Sequence, residues 1–563
     1  MHIGKILLQR GLITAEQLDT AEHTPQTEAA PGEVFVRLGY VSEPEVLKAL
    51  AEELGMRYEE SLLGPLDPKL VEGIPPKLVF DRQIVPIARS NGKITVATAN
   101  PLALDGLDEL ATVTGCDVEP VVSPREQIAE RIKKLFGVGA DTVDRMVGDQ
   151  FGGVEVLREG ARDESKEDLL EAAADASLIN LVNQILIEAL ESRASDIHIE
   201  PFERQLRVRY RIDGVLHDAG TPAQIKMFQA AIVSRIKIMA NLDVAEKRMP
   251  QDGRIMLRVA GREIDVRVSV IPTLGGEGVA LRILERGSTH IGLGELGMEG
   301  DDQARFERFI QKPHGILLVT GPTGSGKTTT LYAALSKINT IDQKIITVEE
   351  PVEYQTEGIC QIQVRPEIKV TFGRALRHIL RHDPDVIMIG EIRDLETAEI
   401  AIQASLTGHL VFSTVHTNDA AGAITRLIDI GIEPYLVSST LEGVMAQRLV
   451  RRICPNCKRE RRDDDESVRL LAKTYEVERH YVGAGCPDCR GTGFRGRIGI
   501  FEVLTMSEPV RELALQRTSS SRIKAQALQE GMQTLLQDGI RKVRAGVTTL
   551  EEVLRVAMPE DVK

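Results

Sequence analysis

The sequence predicts an α/β fold class with a nucleotide-binding core. Three observations predict it. "GILLVTGPTGSGKTTTLYAALSKI" joins an apolar strand, a glycine-rich loop and a helix. From about residue 291 onward, short apolar strands alternate with helices, as in a parallel sheet. Before that, "QLRVRYRIDGVLHDAG" and "REIDVRVSVIPT" alternate apolar and polar residues, as strands of an antiparallel sheet do. At 563 residues the chain is long enough for several domains.

The N-terminus holds an internal repeat. "GKILLQRGLITAEQL" from Gly4 and "GEVFVRLGYVSEPEV" from Gly32 align Gly4 with Gly32, Gly11 with Gly39 and Leu18 with Val46. Each copy reads as a short helix, a glycine stop, and a second helix capped by Thr14 or Ser42. "RQIVPIARSNGKITVATANP" then reads as a hairpin turning at Asn91-Gly92. Residues 1–140 form a small α/β domain. Residues 141–175 carry 11 acidic and 4 basic side chains and read as a flexible linker. The next domain spans 176–290. It opens with a helix presenting Leu178, Leu181, Val182, Ile185 and Ala189 on one face. Arg207, Arg209 and Arg211 line one side of the strand that follows. Residues 291–563 form the nucleotide-binding domain.

In that domain Gly321, Pro322, Thr323, Gly324, Ser325 and Gly326 form a P-loop for ATP phosphates. Lys327 reaches the β- and γ-phosphates, and Thr328, with Thr329 behind it, is placed to ligate Mg²⁺. "DPDVIMIGEIRD" supplies a buried strand ending at Glu391, a candidate for activating water. "KIITVEEPVEY" delivers Glu349 and Glu350 to the end of another strand. "TGHLVFSTVHTNDA" places His409 and His416 on either side of a strand, and both are expected in the active site. "CPNC" and "CPDC" pair Cys454 with Cys457 and Cys486 with Cys489. Two such knuckles suit tetrahedral Zn²⁺ in a subdomain over 454–489. Cys116 and Cys360 are expected as ordinary buried thiols.

A net charge of -15 argues against nucleic acid as partner. No apolar run reaches the ~18 residues of a membrane span, and the start lacks a signal peptide. The expected location is the cytosol, with any membrane association through partners.

In their order, these motifs resemble the Walker A, Asp box, Walker B and His box of the ATPases of type II secretion and type IV pilus assembly, and look most like the type II branch. The resemblance covers about 176–563. It implies a RecA-like P-loop core, an α+β PAS-like domain over 176–290, an N-terminal docking domain and a homohexamer. It also implies partners in the cytoplasmic domains of inner-membrane secretion platform proteins. Under it Arg209 matches an arginine that contacts the γ-phosphate. A second family arginine, about fifteen residues further on, would fall near Gln224, with Arg211 or Arg254 as substitutes. The N-terminal repeat resembles a two-copy motif that binds cyclic di-GMP. His2, Ala30, Pro25 and Glu53 stand where that motif has arginine or glutamine, so docking to protein is the expectation.

Overall fold

The computed structural model describes residues 3–24, 32–62, 67–90, 92–137, 164–259, 262–285, 292–461 and 473–557. The chain divides into two compact units, residues 1–285 and 286–563.

The repeat forms four helices, Ile3–Gln9, Ala15–Glu22, Glu33–Arg37 and Glu43–Glu53. Gly11 (φ +70°) and Gly39 (φ +73°) end the first helix of each copy in the left-handed conformation. Gln17 and Glu45 close the two capping boxes, each accepting from the cap residue's N–H at 2.8 Å. The aligned residues share one contact. A Cβ on Gly4 would lie 2.4 Å from Leu18 Cδ1, and a Cβ on Gly32 would lie 2.4 Å from Val46 Cγ1. The glycines thus seat the second helix of each copy. His2, Pro25 and Ala30 lie outside the described residues; Glu53 is exposed on the fourth helix.

The hairpin β1 (Ile84–Ser90) and β2 (Lys93–Thr98) is antiparallel, and β3 (Asp117–Val122) joins β2 in parallel. Of the expected linker, 141–163 lie outside the described residues. Residues 164–175 are helical, within Glu164–Glu191, so the linker reading ends earlier than the sequence suggested. Alanines and leucines in "DLLEAAADASL" favour helix over coil despite the acidic charge.

That helix and Gln229–Met239 cover one face of a six-stranded antiparallel sheet. Its strands are β4 (Ala194–Pro201), β5 (Leu206–Ile212), β6 (Val215–Asp218), β7 (Gln251–Val259), β8 (Arg262–Thr273) and β9 (Gly276–Glu285), in the order β6-β5-β4-β9-β8-β7. Leu181, Val182, Ile185 and Ala189 pack on Ile197, Val208, Val268 and Leu281, as the helical spacing predicts. The opposite sheet face is rich in arginine and carboxylate.

The second unit is built on a seven-stranded sheet. β10 (Gly315–Thr320), β11 (Ile345–Glu349), β12 (Ile359–Gln363), β13 (Val386–Ile389), β14 (Leu410–Val415) and β15 (Leu441–Ile453) run parallel in the order β12-β11-β13-β14-β10-β15. The strands flanking β10 were thus brought together from more than 90 residues away in sequence. Hydrophobic clusters cover both faces, which is why the strands read as continuous apolar runs. A small hairpin of β16 (Lys458–Glu460) and β17 (Tyr481–Gly483) extends from it, and β18 (Phe494–Thr505) returns antiparallel to β15. All parallel strands end at one edge, and the site forms there.

Candidate active site

β10 is buried along its whole length and delivers the loop 321–326 to the sheet edge. Gly321 (φ +150°), Gly324 (φ +78°) and Gly326 (φ +90°) carry the turn. A Cβ on Gly321 would stand 2.6 Å from the Gln447 carbonyl, so the loop fits only as glycine there. The helix Lys327–Ile338 starts directly after, with its N-terminus toward the loop. Lys327 is 9% exposed, and its ammonium donates to the Gly321 (2.9 Å) and Pro322 (3.1 Å) carbonyls. Burial lowers its pKa, the charge of Glu391 opposes that, and the charge of Arg448 adds to it. Pro322, Thr323, Gly324 and Thr328 are exposed at the mouth, and Thr329 is half-buried.

Gly390 and Glu391 follow directly on β13. A Cβ on Gly390 would lie 3.4 Å from Glu349 Cα, so glycine lets the two strand ends converge. Glu391 has a side chain only 12% exposed. Its Oε2 lies 3.2 Å from His416 Nε2 and accepts from Arg393 Nε at 2.6 Å. β13, β14 and β10 are neighbours, so Glu391, the loop after His416 and the P-loop meet at the same edge. Thr320, the last residue of β10, accepts from Thr417 N–H at 2.9 Å, and the two hydroxyls are 2.7 Å apart.

Glu349 and Glu350 part company. Glu349 is 3% exposed and accepts from Tyr332 (2.6 Å), Thr347 (2.6 Å) and Gln361 (3.3 Å). Burial raises its pKa against those three bonds. Glu350 is exposed at the edge.

The two histidines are not brought together. His416 follows β14 at the carboxyl edge, whereas His409 precedes it at the opposite edge, level with Gly315. Seven residue steps at ~3.3 Å each put their Cα atoms ~23 Å apart. The His409 ring nitrogen Nδ1 is bonded to the Ala404 carbonyl at 2.8 Å. The expectation of one site holding both is corrected by that strand's length.

The arginines lie in the first unit. Arg209 is engaged side-on by Glu200, at 2.8 Å and 2.6 Å. Arg211 lies 3.7 Å from Asp196. Gln224 and Arg254 are exposed. A pair spaced by fifteen residues does exist, on other strands: Arg267 of β8 and Arg282 of β9 are cross-strand partners. Arg282 donates to Asp196 at 3.0 Å. The fifteen-residue spacing of the "DVRVS" and "ALRIL" arginines is the sequence signal that marks them. Tyr332, Gln447 and Arg448 were missed as well. Their partners are distant in the chain, and nothing local marks them.

Cys454, Cys457, Cys486 and Cys489 converge, with all four sulfurs within 4.8 Å of one another. Sulfur separations of 3.7 Å and 3.8 Å are far beyond a disulfide bond. A tetrahedron with Zn–S bonds of ~2.3 Å has edges of ~3.8 Å. The four residues therefore fit zinc. Cys360, by contrast, is exposed on the edge strand β12, and Cys116, just before β3, is half-buried against the core of the small sheet, so neither is a fully buried thiol.

Residues 171–555 match the family described as type II/IV secretion system protein. Residues 54–142 match the MshEN domain, beginning after the helical repeat. The chain is 44% identical to the type II secretion system protein E of Xanthomonas campestris pv. campestris, over 99% of this chain and 98% of that one. It is 40% identical to the type IV pilus assembly ATPase PilB of Myxococcus xanthus, over 99% of both. The solved structure of the ATPase DotB from Yersinia pseudotuberculosis superposes with TM-score 0.50 at 22% identity, over 66% of this chain and 92% of that one, a likeness of fold. With a P-loop, a glutamate at the end of a core strand and the family match over residues 171–555, the chain belongs to the type II/IV secretion system protein family and is an ATPase.

Proposed function

We propose that this ATPase drives protein export through a type II secretion system. The observation that carries hydrolysis, rather than nucleotide sensing alone, is Glu391. It is a nearly buried carboxylate, aimed by His416 and Arg393, on the strand edge that also presents Lys327. In this reading Lys327 and the loop amides bind ATP, and Thr328 ligates the Mg²⁺ that arrives with it. Glu391 orients and deprotonates the attacking water, and His416 holds the carboxylate in place. Arg267 and Arg282, cross-strand partners with the family's fifteen-residue spacing, are the better candidates for the γ-phosphate arginines; Arg282 gives only its Nε to Asp196, whereas both Nε and Nη2 of Arg209 are taken by Glu200.

The working form is proposed as a homohexamer in the cytoplasm. Among the described residues no helix is long and apolar enough to cross a membrane. Work at the inner membrane would therefore pass through platform proteins docked on the N-terminal domain. The identity of 44% along the full chain to a type II protein favours secretion as the client. The second reading, pilus assembly, rests on the 40% full-length identity to PilB.

Two measurements test this. Glu391→Gln should bind ATP and lose turnover, whereas Lys327→Ala should lose both; parental single-turnover hydrolysis by Glu391→Gln sinks the base assignment. Expression in a strain lacking its type II ATPase should restore export, and expression in one lacking its pilus-extension ATPase should not. The reverse outcome would move the client to pili.

A further inference from the structure

The four residues that follow β14 are each tied to a different element. His416 meets Glu391 after β13, at 3.2 Å. Thr417 meets Thr320 of β10, at 2.7 Å. Asn418 offers its carbonyl to Arg448 of β15, at 2.7 Å. Asp419 lies 3.4 Å from Lys524, on the helix Ser520–Gln529. Three of these ties are accounted for by the catalytic glutamate, the P-loop strand and an ion pair that fastens the loop to a neighbouring helix. The fourth has no part in the chemistry described so far.

Arg448 is placed unusually for a cation. Thr320 pairs with Ala446, so the next two residues of β15 run alongside the P-loop. A Cβ on Gly321 would lie 3.1 Å from Arg448 Nη1, and one on Gly326 would lie 2.9 Å from Gln447 Nε2. Gln447 is itself fixed, accepting from Thr330 of the P-loop helix at 2.8 Å. The guanidinium donates to two carbonyls, Asn418 by Nη2 and Gln447 by Nη1 at 3.0 Å. Among the described residues no carboxylate stands within ion-pair distance of it. A planar fork that stands beside the first P-loop glycine and is bonded to the backbone two residues after His416 ties the catalytic loop to β15.

We propose that Arg448 is a positioning residue for hydrolysis: its fork locks the loop His416–Asp419 to β15 alongside the P-loop, so that His416 holds Glu391 in line with the bound phosphates. This rests on the assignment of Glu391 and His416 above. The role needs the fork geometry and not merely the charge. A lysine ammonium would preserve the positive potential beside the loop, yet it could not bridge the same two carbonyls with a rigid plane.

The test uses the full chain with Mg-ATP. Arg448→Lys should bind a fluorescent ATP analogue within about threefold of the parent, which also reports that the P-loop is folded. Its kcat should fall at least about tenfold, the scale of one lost charge-assisted hydrogen bond. Arg448→Ala should show a kcat no better. His416→Gln combined with Arg448→Lys should cost much less than the product of the two single losses, because both act on the same carboxylate. A kcat within about threefold of the parent in Arg448→Lys overturns the proposal. So do fully multiplicative losses, or a fall in nucleotide affinity that accounts for the whole effect. If Glu391→Gln is inactive while Arg448→Lys is fully active, the ATPase reading stands and the positioning role fails.

Discussion

Tyr332, on the helix that follows the P-loop, donates to the Glu349 carboxylate at 2.6 Å. One helix carries both the phosphate-binding lysine and the tyrosine that holds the end of β11. Burial lifts the Glu349 pKa, and the bonds from Thr347, Tyr332 and Gln361 oppose the lift. An acid whose folded pKa is raised contributes most to stability below its unfolded value of ~4.3, and that contribution is lost as pH rises through the folded value. Removing a donor raises the folded value further. Tyr332→Phe should therefore destabilise the second unit by ~1–3 kcal/mol at neutral pH, and by less near pH 4. Thermal melts across pH 4–8 check it; a penalty that shrinks toward pH 8 would contradict the sign.

The histidines should behave differently, because β14 puts them at opposite edges of the sheet. His416→Gln should lower kcat at least about tenfold with little change in melting temperature, since it loses a contact with Glu391. His409→Ala should cost ~1 kcal/mol of stability, from the bond to the Ala404 carbonyl, and leave kcat within about twofold. Steady-state kinetics beside thermal melts separate the two. A large kcat loss in a stable His409 variant would return that residue to the site.

Arginine substitutions rank the candidates on the six-stranded sheet. Arg267→Ala and Arg282→Ala should each cut hydrolysis by up to ~10³, the scale of an arginine that stabilises transferred phosphate. Arg209→Ala should cost far less, as its side-on pair with Glu200 is a structural contact on a partly exposed face. Assays need verified oligomer in every case. Equal losses for Arg209 and Arg267 would restore the first assignment.

Part of this was legible from the chain alone, and the boundary is physical. The P-loop, the cysteine knuckles and the Gly4/Gly32 repeat are local patterns, where spacing dictates geometry. The Arg448–Asn418 bond joins residues 30 apart, and Tyr332–Glu349 joins residues 17 apart. Both depend on strand order, and no local period encodes that β15 lies beside β10. The His409 position is a different case. Six strand residues separate it from His416, so the distance was available from the sequence, and the similarity of their neighbours obscured it. The fifteen-residue arginine spacing was likewise present in the chain, at Arg267 and Arg282, and the register of β8 with β9 shows that this pair shares a face.

The cysteine cluster should hold one zinc per chain. Cys457→Ser should release it and melt the β16–β17 hairpin, whose ends the knuckles pin, while ATP-analogue binding persists because the P-loop belongs to the central sheet. Elemental analysis of reduced, chelator-free protein gives the stoichiometry, and amide exchange over residues 454–461 and 481–493 reports the hairpin. Metal-free protein with full protection there would refute the assignment.

The helical repeat makes the last prediction. Gly32 has φ +83°, and a Cβ there would meet Val46 Cγ1 at 2.4 Å. Alanine must therefore both strain the backbone and push the fourth helix away from the first three. Val46 is 2% exposed, so there is no free space for it to move into. The helix that would shift also carries Glu43, which Arg125 holds at 3.8 Å while pairing with Glu33 at 2.9 Å. Gly32→Ala should then loosen the four-helix module from the β1–β3 sheet and leave ATP hydrolysis by the free chain within about twofold. If the N-terminal domain docks on a platform protein, the same variant should lose capture of that protein from membrane extracts and fail to support export. Calorimetry with cyclic di-GMP on the parent completes the test. Micromolar binding would mean that the module reads a nucleotide after all, and undiminished capture by a Gly32→Ala variant with demonstrably loosened helices would place the docking surface elsewhere on the chain.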